Sequence, residues 1–168
     1  MTSLIVIRVT SIYIRFTQPT QVINCRNYNV NNRSTPSTLE ILLIEDNPGD
    51  IFLTQETLKN LKIPNQIHIV RDGEEALAFL HQQGEYQTAP RPDLILLDLN
   101  LPKKNGREVL ENIKASLSLN QIPVIVLTTS RTDEEILKNQ NLSANCYIPK
   151  PDDLSQFDKI IHAIESLR

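Results

Sequence analysis

The stretch "RPDLILLDLNLPKKNG", residues 91–106, decides how the rest of the chain is read. Its centre, residues 94–97, is apolar without alternation, the pattern of a strand covered on both faces. The run is too short for a buried helix, and Pro92, Pro102 and Gly106 punctuate it on either side. It ends in a carboxylate, Asp98. A strand that lies in the core and finishes on an acid delivers that acid to one edge of a sheet.

Four further short β-rich runs share this character: "EILLIED" (residues 40–46), "QIHIV" (66–70), "IPVIVLT" (122–128) and "CYIPK" (146–150). They alternate with segments of helical period: "DIFLTQETLKNL" (50–61), "GEEALAFLHQQG" (73–84), "GREVLENIKASL" (106–117), "DEEILKNQ" (133–140) and "DDLSQFDKIIHAIESL" (152–167). Five strand–helix pairs predict an α/β three-layer sandwich around a five-stranded parallel sheet with five helices. Pro149 lacks an N–H, so the fifth strand is expected at an edge or a terminal position.

Charge divides the chain at the start of the first run. The net charge is −3, yet residues 1–39 carry four Arg and no Asp or Glu, which leaves 13 basic and 20 acidic side chains, or −7, for residues 40–168. No Lys/Arg cluster longer than Lys103-Lys104 follows residue 40, which argues against nucleic acid as a partner. Cys25 and Cys146 form no CxxC pair and are too few for a disulfide framework, a usage expected of a reducing, cytoplasmic setting. The apolar run "LIVIRVTSIYIRF" (residues 4–16) is broken by Arg8 and Arg15 and is shorter than the roughly 20 residues a bilayer span needs. No cleavage-site pattern follows it, so neither membrane insertion nor export is expected. Residues 1–39 are read as an N-terminal extension, disordered or the product of a mis-assigned start, and residues 40–168 as the folded domain.

Parallel strands joined by right-handed crossovers share one C-terminal edge, where ligands bind. That edge receives Glu45 and Asp46 from the first strand, Asp98 from the third, Thr128 from the fourth and Lys150 from the fifth. Any one of these has an ordinary explanation, such as capping of the next helix by Asp46-Asn47-Pro48. Their conjunction does not. Two like charges 4 Å apart cost about 4 kcal/mol at an effective dielectric of 20, so gathered carboxylates need raised pKa values or a cation. All the donors are oxygens, which favours a hard ion such as Mg²⁺ over zinc. A carboxylate beside such an ion, an ammonium and a hydroxyl is placed as a nucleophile toward phosphorus, and Asp98 is the candidate acceptor.

"ILLIEDNPGD", "LILLDLNLPKKNG", "VIVLTTS" and "CYIPKP", in this order and spacing, resemble the response-regulator receiver domain of two-component signalling, and the resemblance covers residues 40–168. "VRDGEEALAFL", "GREVL" and "ANCYIPKP" add a likeness to the single-domain receivers that partner bacterial, cyanobacterial-type phytochrome histidine kinases. The resemblance implies a flavodoxin-like fold with strand order 2-1-3-4-5. It implies Mg²⁺ held by Glu45, Asp46, Asp98 and the main-chain carbonyl of Asn100, with Asp98 as phosphoacceptor. Thr128 and Lys150 then contact the phosphoryl group, and Thr128 and Tyr147 form the switch. The expected function is that of a phosphorelay response regulator, not an enzyme with an external substrate. The expected partners are a sensor histidine kinase, phytochrome-type as the leading candidate, and a second copy of the chain in a homodimer, with no membrane or nucleic acid involved.

Asn105 stands where an Asp is common in the family, and this leaves the implied metal set intact. His68, His81 and His162 lie away from the strand ends and are read as surface or packing residues. An Asp-nucleophile phosphatase would carry a second acid at position 100, which is Asn. A nucleotide-binding fold would carry a glycine-rich loop, but the four glycines are scattered. The remaining alternative is a phosphorylation-independent adaptor on the same fold.

Overall fold

The computed structural model describes residues 38–128, 137, 142, 144–150 and 158–166. Within them run β1 (Leu39–Ile44), α1 (Pro48–Leu58), β2 (Asn65–Val70), α2 (Gly73–Leu80), a 3-10 turn (Gly84–Tyr86), β3 (Leu94–Asp98), α3 (Gly106–Ala115), β4 (Val124–Thr128), β5 (Cys146–Pro149) and a C-terminal helix (Asp158–Ser166). The segment expected to form a helix at 133–140 lies outside the described residues except for Leu137, which is buried. The extension 1–37 also lies outside them. No helix among the described residues is long and apolar enough to cross a membrane.

The five strands form one parallel sheet in the order β2-β1-β3-β4-β5, as expected. β5 is an edge strand, which accommodates Pro149. β1 begins at Leu39, one residue before the boundary expected from composition. Leu39 is buried and its N–H donates to the Pro64 carbonyl at 2.8 Å.

Period-two alternation divides the apolar side chains between two cores. Leu42, Ile44, Ile95, Leu97, Val124, Val126 and Tyr147 pack with α2 and α3 on one face. Ile41, Leu43, Leu94, Leu96, Ile125, Leu127, Cys146 and Ile148 pack with α1 and the C-terminal helix on the other. A strand that serves both cores cannot carry a polar residue until it leaves the layer. The carboxylates therefore stand at the strand ends.

The starts of α1, α2 and α3 are each capped by a side chain that the sequence places just ahead of the helix. Asn47 accepts from the N–H groups of Gly49 and Asp50, and Pro48 opens α1. Asp72 caps α2 through Glu74 and Glu75, and Asn105 caps α3 in a reciprocal box with Glu108. This accounts for Asn105 in its own right. His68 is half-buried, 2.6 Å from Glu40 Oε2 and packed against Phe79, as a packing residue would be.

Two glycines clamp the loop that follows β3. A Cβ on Gly106 would lie 2.2 Å from the Asp98 carbonyl oxygen, and one on Gly73 would lie 2.1 Å from the carbonyl of Lys104. Gly106 is thus required by close approach of α3 to the end of β3. The left-handed turn of this loop falls instead on Lys103, at φ 60°. The Lys103 ammonium is 2.5 Å from Asp72 Oδ2, which ties the loop to the first turn of α2. Burial resists ionisation of Asp72, but Lys103 and the backbone N–H groups of Glu75 and Glu74 hold its carboxyl below the usual range.

Candidate functional site

The side chains gathered at the C-terminal edge of the sheet centre on Lys150. Its Nζ lies 2.8 Å from Asp98 Oδ2, 2.7 Å from Glu45 Oε2 and 2.9 Å from Asp50 Oδ2. Asp98 and Glu45 are only 2% and 1% exposed, so these ion pairs are shielded from water in a way surface pairs are not. Burial of the ammonium works against its charge, but its close contacts with Asp98, Glu45 and Asp50 more than offset this and raise its pKa above the ordinary lysine value. Lys150 is therefore a fixed cation.

Glu45, Asp46 and Asp98 each offer an oxygen, and the three lie within 4.8 Å of one another. Octahedral Mg²⁺ with oxygen ligands at about 2.1 Å needs neighbouring ligand oxygens roughly 3 to 4 Å apart, so a small contraction would complete the set. Burial, reinforced by the charge of Asp98, raises the Glu45 carboxyl to about 7 against the pull of Lys150 and of the Asn47 N–H. Its Oε1 accepts from Asn47 N at 3.2 Å, whereas buried Oε2, although in ion-pair range of Lys150, has no directed hydrogen-bond partner. An under-coordinated buried oxygen in an all-oxygen cluster suits a hard cation.

Asn100 follows the acceptor by two residues, and its N–H donates to Asp98 Oδ1 at 3.1 Å. Asp98 is therefore held from both sides, by loop backbone on one oxygen and by Lys150 on the other. Thr128 ends β4 beside this pair and is buried, and its carbonyl accepts from Lys150 N at 2.7 Å. Glu45, Asp98 and Lys150 continue the alternation that packs on α1 and the C-terminal helix, whereas Thr128 continues the opposite set, which includes Tyr147.

Tyr147 is not at the acids. Its ring is buried in the core beside α2 and α3, and its hydroxyl accepts from Ala144 N at 2.9 Å and donates to the Leu142 carbonyl at 3.0 Å. Asp50, in contrast, belongs to the cluster and was not foreseen from sequence. An acid in the first turn of a helix is already explained by the helix dipole. Only its position four residues after Asp46, on the turn beneath the site, hinted at more.

The response regulator receiver domain model matches residues 41–162. Response regulator Rcp1 of Synechocystis sp. is 52% identical over 126 residues, covering 75% of this chain and 86% of that protein. Among solved structures, the phosphorylated cyanobacterial phytochrome response regulator RcpA is 53% identical with a TM-score of 0.70, covering 77% of this chain and 92% of that one. The Mn²⁺-bound form of Rcp1 is 51% identical with a TM-score of 0.68, covering 76% and 92%. With this fold, strand order and clustered strand-end residues, the chain belongs to the response regulator receiver family and is a protein of phosphorylation-based two-component signalling.

Proposed function

We propose that Asp98 accepts a phosphoryl group from the phosphohistidine of a sensor histidine kinase, and that the domain spanning residues 40–168 signals through a changed protein-binding face. The observation that carries this reading is the contact of Lys150 Nζ with Asp98 Oδ2 at 2.8 Å, beside the Glu45 and Asp46 carboxylates. An Asp98 oxygen would form the new O–P bond as the donor P–N bond breaks, with the imidazole leaving and taking up a proton. Lys150 is positioned to meet charge developing on the transferred oxygens, and Thr128 offers a hydroxyl to another of them. Mg²⁺ would be held by Glu45, Asp46, Asp98 and the Asn100 carbonyl. When bound, it supplies charge neutralisation for the carboxylates and the phosphoryl oxygens.

The chain is read as a phosphoacceptor rather than an enzyme acting on an external substrate, and as cytoplasmic. The likeness to RcpA and Rcp1 supports a phytochrome-type kinase as donor. For output, Thr128 and Tyr147 share the α2–α3 side of the sheet, so movement of Thr128 toward a new phosphoryl group would open space for the ring. Release of the Tyr147 hydroxyl from Ala144 and Leu142 would then carry the change to the β4–β5 side. Homodimer formation belongs to the same reading.

The decisive experiment is incubation with acetyl phosphate and Mg²⁺ followed by phosphate-affinity electrophoresis. A labelled species that disappears with chelator and in Asp98→Asn is expected. No label under saturating donor would favour the phosphorylation-independent adaptor.

A further inference from the structure

We propose that Asp50 is a positioning residue that draws the Lys150 ammonium toward α1 and thereby slows the loading of Asp98. This rests on the reading of Asp98 as phosphoacceptor and adds to it a built-in brake.

Lys150 has three carboxylate partners, and they are not equivalent. Glu45 and Asp98 are buried and belong to the trio of oxygens suited to a cation. Asp50 stands outside that trio, in the first turn of α1, with its side chain 36% exposed and its Oδ2 2.9 Å from Nζ. It therefore stays with the ammonium when the other two carboxylates turn to metal or phosphorus. Each anion that shares one ammonium reduces the field that ammonium exerts elsewhere, and Asp50 does so from the rim, where an anionic donor must enter. The fold's own use for a charge there is the modest dipole interaction at the start of α1. Asn47 already caps α1 through the N–H groups of Gly49 and Asp50, so removing the Asp50 carboxylate charge leaves the helix start intact.

Asp50→Asn keeps the shape and a hydrogen-bond acceptor and removes only the charge. Because the group is partly exposed and screened, the expected gain in the first-order loading rate with acetyl phosphate is about threefold at low ionic strength, shrinking as salt is added. Asp50→Glu should restore the slow rate. In a Lys150→Met background the Asn substitution should give no gain, because its effect passes through the ammonium. The affinity for Mg²⁺, followed separately by calorimetry, should change less than the loading rate.

The outcomes separate the two readings. No label on the wild-type chain would sink the Asp98 assignment, and this proposal with it. Label on the wild type that is lost in Asp98→Asn, combined with an Asp50→Asn rate equal to or below the wild type, would overturn the brake alone. So would a gain that persists in Lys150→Met.

Discussion

At the scale of the residue, the site is a contest between burial and pairing, and Glu45 shows it most openly. Its carboxyl is 1% exposed and sits at about 7, raised first by burial and then by Asp98. The unfolded chain loses this proton near the ordinary glutamate value of 4.5, so between there and about pH 7 the folded protein holds a proton that the unfolded one has released. Stability accordingly falls as pH rises through that window. Glu45→Gln fixes the neutral form. In chelator its thermal midpoint should exceed that of the wild type by a few degrees at pH 8, and the gap should close by pH 4. A lower midpoint at pH 8 would mean that pairing with Lys150 outweighs the cost of burying the charge. Glu45, Asp46, Asp98, Thr128 and Lys150 were legible from sequence for one reason: each stands where a strand leaves the core. Asp50 was not, because a helix start explains an acid without any site.

Among elements, the loop between β3 and α3 is the most tightly specified. Gly106 brings α3 against the Asp98 carbonyl, Gly73 brings α2 against Lys104, and Asp72 holds Lys103. A methyl group at residue 106 would meet backbone at 2.2 Å, which no rotamer can relieve, so the end of β3 or the start of α3 must shift. Gly106→Ala should cost about 1 to 3 kcal/mol in urea unfolding and slow the labelling of Asp98. Gly84→Ala, at φ 58° with open space around it, should lose stability through backbone strain alone and label normally. In the sequence Gly106 reads only as punctuation of this loop. The left-handed residue is Lys103, and no local pattern marks a lysine for that role. Strand existence and order followed from pattern and resemblance, whereas strand ends moved by one or two residues because tertiary pairing sets them. β4, for example, begins at Val124 rather than residue 122.

Over the whole molecule, one sheet serves two cores, so the inner strands are the stability reserve. Leu96 is fully buried between β3 and the α1 side, and Leu96→Ala should destabilise by about 2 to 5 kcal/mol. Leu117 is 89% exposed, and the same substitution there should change stability by less than about 0.5 kcal/mol. Equal losses in the two variants would deny that the buried layer dominates. The division into two cores was readable from the unbroken apolar runs, but which face each active side chain would join was not, since that depends on where each strand ends. Lys150 and Asp98 belong to one side of the β-layer, while Thr128 and Tyr147 belong to the other, so on the proposed reading the layer would be a bulkhead with chemistry fore and transmission aft. Inserting a single amino acid within β4 would swing the threonine across that bulkhead. Such a chain would keep every carboxylate in place and still be deaf to its own modification.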